Sequence, residues 1–136
     1  MDRLSYEHEL HAVLEARGRF GHREHLELAW WYLRTADLAS AERLMAAAIR
    51  DVAEAHGAPE RYHHTMTLSW LRLVAAHMAC CDAASFEAFL ARNEGLLDRQ
   101  LLAGHFSAAT LSDPSSRSDW VQPDLRPLPV VARSAS

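Results

Sequence analysis

The sequence predicts an all-α fold, a single bundle of about five helices with an extended Pro-rich C-terminal strap. Three observations carry that prediction. Apolar residues recur at three- and four-residue spacing through most of the chain. No segment alternates apolar and polar residues as a half-buried strand would. Gly and Pro punctuate the chain at helix-length intervals, and Pro123, Pro127 and Pro129 forbid a regular helix near the C-terminus.

The elements follow in order. From Leu4 to Arg17, the residues Tyr6, Leu10, Val13 and Leu14 share one helical face, and Gly18 and Gly21 end the segment. A second helix starts at His22 and runs to about Leu33. Thr35 to Ser40 is a break, with Asp37 or Ser40 as the next N-cap. The third helix carries Leu44, Met45, Ala48, Ile49, Val52 and Ala55 inward and stops at Gly57. Pro59 opens a fourth helix that extends to about Met78. A fifth runs from Ser85 to about Leu102, bent at Gly95. Beyond His105 the composition turns to Ser, Asp and Thr. The strap then follows, with Trp120, Leu125, Leu128 and Val130 available to pack across the bundle. One domain over 1–131 and a disordered tail over 132–136 complete the expectation.

Composition narrows the function classes. The chain has 136 residues, 49 % of them apolar and 24 % charged, as in ordinary soluble domains. Its net charge of -4, without any basic block, disfavours a nucleic-acid surface. Its 14 basic residues are all arginine, and with many alanines this suggests a GC-rich, bacterial coding sequence. The polar N-terminus and the lack of a long apolar run predict neither signal peptide nor membrane span, hence a cytoplasmic protein. Cys80 and Cys81 are adjacent and are the only cysteines, which fits neither a disulfide framework nor a spaced metal motif.

Three histidines carry the chemical interest. With His22 at 0° and about 100° per residue, Leu26, Ala29 and Leu33 fall within about 40° of it and His25 lies at about -60°. Glu24 and Glu27 land far round, at about 200° and 140°, poorly placed to join the histidines. On a helix starting at Pro59, His63 lies mid-stripe with Met66, Thr67, Trp70, Leu73 and Val74. Thr65 lies opposite. His77 shares the stripe but sits roughly 21 Å along the axis from His63. For the three imidazoles to meet, the helices starting at His22 and Pro59 must run side by side in the same direction.

Four stretches stand out: Phe20-Gly-His22-Arg-Glu-His25-Leu26, Ala29-Trp30, Tyr62-His63-His64-Thr65-Met66-Thr67, and Pro123-Asp-Leu-Arg-Pro-Leu-Pro129. Together they resemble a small, uncharacterised bacterial all-helical family, from about Phe20 to Pro129. The resemblance implies that His22, His25 and His63 are the positions of interest, with Thr65 and Thr67 behind them. It implies no activity.

Two kinds of site and two non-catalytic readings remain open. His22, His25 and His63 could supply three nitrogen ligands to a divalent transition metal, zinc before iron or copper, leaving an open position for an activated water. Thr67, one turn beyond His63, or Tyr62 would hydrogen-bond that water or a bound ligand. Alternatively, the same imidazoles serve as general acid and base in a metal-free pocket for a small-molecule ligand, walled by Trp30, Trp31, Trp70, Tyr32 and Phe20. The histidines could equally be core residues satisfied by backbone or by Tyr, Thr and Ser. The chain could also be an interaction module, a homodimer through an apolar helix face. A nucleophilic Cys80 or Cys81 would need an approaching histidine, and His77 is three residues away.

Overall fold

A computed structural model describes residues 21–129. The helix expected over Leu4–Arg17, together with Phe20, Val130 and the tail 132–136, lies outside the described residues. Within them the chain is all helix and loop. Its α-helices are α1 (His22–Thr35), α2 (Leu38–Ala55), α3 (His64–Ala79), α4 (Phe86–Arg92), α5 (Ala108–Ser112) and α6 (Pro114–Ser118). Short 3-10 turns cover Pro59–Arg61, Glu94–Leu97 and Arg99–Gly104. Among the described residues no helix is long and apolar enough to cross a membrane.

Helices α1, α2 and α3 pack pairwise and form the core. Only Ala36 and Asp37 separate α1 from α2, so those two run antiparallel. Asp37 is the cap at that corner, its Oδ1 accepting from the Ser40 N–H at 2.7 Å. At one end of the α2–α3 pair Arg72 Nε donates to Glu42 Oε2 at 2.6 Å. At the other the Arg50 guanidinium lies 4.7 Å from the Tyr62 ring centroid. Helix α3 is therefore antiparallel to α2, and α1 and α3 run in the same direction. Leu26, Leu28, Ala29, Met45, Leu71 and Val74 are fully buried between them. Each of the larger of these side chains contributes roughly 1.5–3 kcal/mol by leaving water.

Three boundaries differ from the sequence expectation. The helix expected from Pro59 to Met78 is broken at Tyr62 and His63. His63 is extended (φ -132°, ψ 108°) and caps α3 instead of lying inside it. The helix expected from Ser85 to Leu102 ends at Arg92. There Asn93 leaves helical geometry and its side-chain amide donates to the Phe89 carbonyl at 2.9 Å. The Ser-rich stretch after His105 forms two single-turn helices, each with its own cap. Ser107 accepts from the Thr110 N–H and Asp113 from the Ser115 N–H, with Pro114 at the first helical position.

The strap from Asp119 to Pro129 forms no regular helix, as the prolines require, and it bends over Asp124, Leu125 and Arg126. Trp120 and Leu128 pack against the core. Leu125, expected to pack, is 58 % exposed, because its backbone N–H turns inward to donate to the His105 carbonyl at 2.9 Å. Trp31, on the far side of α1 from His22, also packs partly buried on the core, edge-on to Trp30.

Candidate functional site

A cavity of about 790 Å3 opens where the first turns of α1 and α3 meet the last turn of α2. That size is in the range of small-molecule pockets, about 300–1,000 Å3. His22 and His25 line it from α1 and His63, Met66, Thr67 and Trp70 from the start of α3. Tyr62 closes one side, and Ile49, Val52 and His56 supply the α2 wall. The sequence thus names five of its polar members: His22, His25, Tyr62, His63 and Thr67.

His22 is fixed at its tip. Its Nε2 lies 2.8 Å from the Leu96 carbonyl oxygen. A carbonyl only accepts, so Nε2 carries the proton and Nδ1 the lone pair of the neutral ring. The ring also stands edge-on to Trp70, with centroids 4.4 Å apart. Burial is the main cause that pushes the His22 pKa down, and Arg99 adds to it by charge repulsion. His22 is therefore neutral near pH 7.

His25 sits one turn further on. Part of the residue is accessible, but its Nε2 is buried. The backbone of Thr67 on α3 stands beside the ring. Burial, reinforced by repulsion from His22, pushes its pKa down to about 4. Such a ring is neutral at physiological pH and a weak proton acceptor there.

His63 does a different job. Its Nδ1 accepts from the Met66 N–H at 3.2 Å, which caps α3. Its Nε2 donates to the Leu111 carbonyl at 2.8 Å, with the Ser116 hydroxyl 3.4 Å away. Both ring nitrogens are occupied, and only the neutral ring protonated at Nε2 makes both bonds. Burial lowers its pKa accordingly, with Arg117 adding to the effect. A metal ligand would have to surrender either the cap or the bond to Leu111. Among the described residues no three His, Cys, Asp or Glu side chains form a group able to hold a metal ion.

The threonines divide. Thr67 is buried at the cavity wall and its hydroxyl donates to the His63 carbonyl at 2.7 Å. Thr65, a candidate for the reaction centre, does not line the cavity. Its hydroxyl donates to the Asp119 carbonyl at 2.8 Å and accepts from the Val121 N–H at 3.1 Å. It anchors the strap. That fits its position on the helix face opposite Thr67, apart from His22, His25 and His63.

Tyr62 presents its phenol beside the cavity. Its oxygen is 2.7 Å from His64 Nδ1. Burial raises the phenol above its usual pKa, opposed by the positive charge of Arg50. The phenol is thus protonated at neutral pH and shares a hydrogen bond with His64.

Glu24 does not line the cavity, but it is buried, 6 % exposed. As the third residue of α1 its Oε1 folds back to accept from the Gly21 N–H at 2.9 Å. It closes the start of the helix that carries His22 and His25.

Several members had no sequence signal. Arg61 and Arg99 line the cavity, each on a 3-10 turn that periodicity does not reveal. The carbonyls of Leu96 and Leu111 orient two of the histidines, and backbone groups of distant segments are invisible to side-chain patterns. His56 was findable, since it continues the Ile49–Val52 face of α2.

A second hollow, of about 570 Å3, is lined by His77, Cys80, Cys81 and Asp82 among others. His77 is thus separate from the first cavity, as its distance along α3 requires. Cys80 is exposed and Cys81 half-buried, and both are free thiols. The His77 Nδ1 donates to the Leu73 carbonyl at 2.8 Å.

Compared with known proteins, the chain matches no family model, no curated protein and no solved structure.

Proposed function

We propose that this chain binds a small organic molecule in the cavity between α1, α2 and α3, with the His22 Nδ1 as proton acceptor. One observation carries the reading: His22, His25, Tyr62 and Thr67 converge with the Trp70 ring on a single cavity of ligand size. Apolar surface from Met66, Ile49 and Val52 would hold the body of the ligand, and the few polar groups would orient it.

The roles differ by residue. His22 keeps its proton on Nε2 through Leu96, which leaves Nδ1 basic and directionally fixed. After taking a proton the ring still donates to Leu96, so the charged form retains its partner. His25, held down to about 4, is a neutral hydrogen-bonding group. His63 is a positioning residue that sets the start of α3. The Tyr62 phenol, held by His64, orients polar atoms of the ligand. The alternative zinc reading shares the first two histidines but has no free nitrogen on His63.

The test is ligand-observed NMR of the full chain against a library of small organic molecules, repeated with Met66→Trp, which fills the cavity. Binding that Met66→Trp abolishes, together with a ligand-induced shift of the His22 Nδ1 resonance, supports the proposal. Binding that survives Met66→Trp refutes the location. An unmoved His22 resonance refutes the proton-accepting role.

A further inference from the structure

The polar members of the cavity are histidine, tyrosine, threonine and arginine, and no Asp or Glu lines it among the described residues. That is unexpected in a chain with 18 acids against 14 basic residues. The two arginines of the lining, Arg61 and Arg99, are both exposed. Among the described residues neither is in a salt bridge, whereas Arg23 and Arg72 pair with Glu27, Glu87 and Glu42. They come from separate 3-10 turns, Pro59–Arg61 and Arg99–Gly104, that approach the cavity from different parts of the chain.

From this acid-free, arginine-bearing lining we infer that the ligand is a small organic oxyanion, a carboxylate or phosphate ester on an apolar or aromatic body. Its anionic oxygens pair with Arg61 and Arg99, and its body lies against Trp70 and Met66. The inference rests on the pocket reading above and names the chemical class of its ligand. A guanidinium presents a planar fork of donors that matches a carboxylate or phosphate. At a partly enclosed site its field is screened less than at open surface. The electrostatics agree in sign: Arg99 repels a proton from His22, and Arg117 does so at His63. An anion brought beside His22 would reverse that effect and raise the basicity of the proton-accepting nitrogen. Ligand binding and proton transfer are coupled in this arrangement.

The experiment compares four probes with one naphthyl body: naphthylacetate, naphthyl phosphate, the neutral naphthylacetamide and the cationic naphthylethylamine. Binding to the full chain is read by ligand-observed NMR at low and high salt, then repeated with Arg61→Gln and Arg99→Gln. Both side chains are exposed, and unchanged thermal melting checks that the variants fold. The expected result is that one or both anions bind about tenfold more tightly than the amide, and that salt and each substitution weaken them. The two anions against each other tell carboxylate from phosphate. Equal binding of amide and anions, blocked by Met66→Trp, overturns the oxyanion inference and leaves the pocket reading standing. Anion binding indifferent to both arginine substitutions overturns it too. Binding by none of the four overturns the inference, while the library screen with Met66→Trp decides the pocket reading separately.

Discussion

His63 and Leu111 are 48 positions apart in the chain, and the imidazole Nε2 of one lies 2.8 Å from the carbonyl oxygen of the other. Through this bond the start of α3 and the segment α5–α6 hold one another. The same ring caps α3 through Nδ1. It looks like a ligand in the sequence and acts as a clasp in the fold.

The clasp predicts a graded response to substitution. His63→Ala removes a helix cap, worth about 1 kcal/mol, and a buried hydrogen bond of similar size. A loss of about 2 kcal/mol in urea unfolding is expected. His63→Asn restores a cap-forming side chain and recovers about half. Equal losses from both substitutions would mean that the cap contributes nothing.

Acid destabilises the fold through His25. Its pKa falls from 6.5 unfolded to about 4 folded. Above pH 6.5 both states are neutral and the ring adds no pH dependence. Below it the unfolded chain takes up a proton that the folded chain refuses, so stability falls as pH drops from 6.5 towards 4. The full effect is about 3 kcal/mol. His22, His63 and His64, also lowered by burial, act in the same direction. Urea midpoints measured from pH 8 to 4 should decline, and His25→Gln should flatten much of the slope. An unchanged slope in His25→Gln would place the buried titration elsewhere.

Zinc should bind weakly. Protein purified without a histidine tag should hold well under one equivalent, since coordination by His63 would break the cap or the Leu111 bond. Zinc added to the apo protein should lower the melting temperature or leave it unchanged. Stoichiometric metal, lost in both His22→Ala and His63→Ala, would restore the three-histidine centre.

Thr65 separates structure from site. Thr65→Val leaves the Asp119 carbonyl and the Val121 N–H without their partner. A loss of about 2–3 kcal/mol and faster proteolysis within the strap are expected. Ligand affinity at the cavity should change less than twofold below the melting transition. A large affinity loss in a folded Thr65→Val protein would return Thr65 to the site.

Much of this arrangement was legible in advance. The all-α class, the cap at Asp37, the stop at Gly57 and the break from regular helix in the strap rest on local rules, and local rules operate inside a few residues. The same direction of α1 and α3 followed from demanding that His22, His25 and His63 meet. What periodicity could not show was where a helix fails. His63 was projected inside a helix because Pro59 is a good start, but a side chain able to cap α3 made the break at Tyr62–His63 favourable. Arg61 and Arg99 were missed for a related reason: 3-10 turns have no 3.6-residue signature. Glu24 was read by angle alone, and angle says nothing of a carboxylate folding back on its own helix start.

The contact between His63 and Leu111 also dates the cavity during synthesis. When α1, α2 and α3 have left the ribosome, Leu111, Ser116, Asp119 and Val121 have yet to emerge from it. At about 5–20 residues per second, the clasp waits several seconds for them. Until then the first turn of α3 lacks the bonds that hold His63 and Thr65 in place. The nascent chain therefore passes through an interval in which the three helices can collapse while the cavity between them is unfinished.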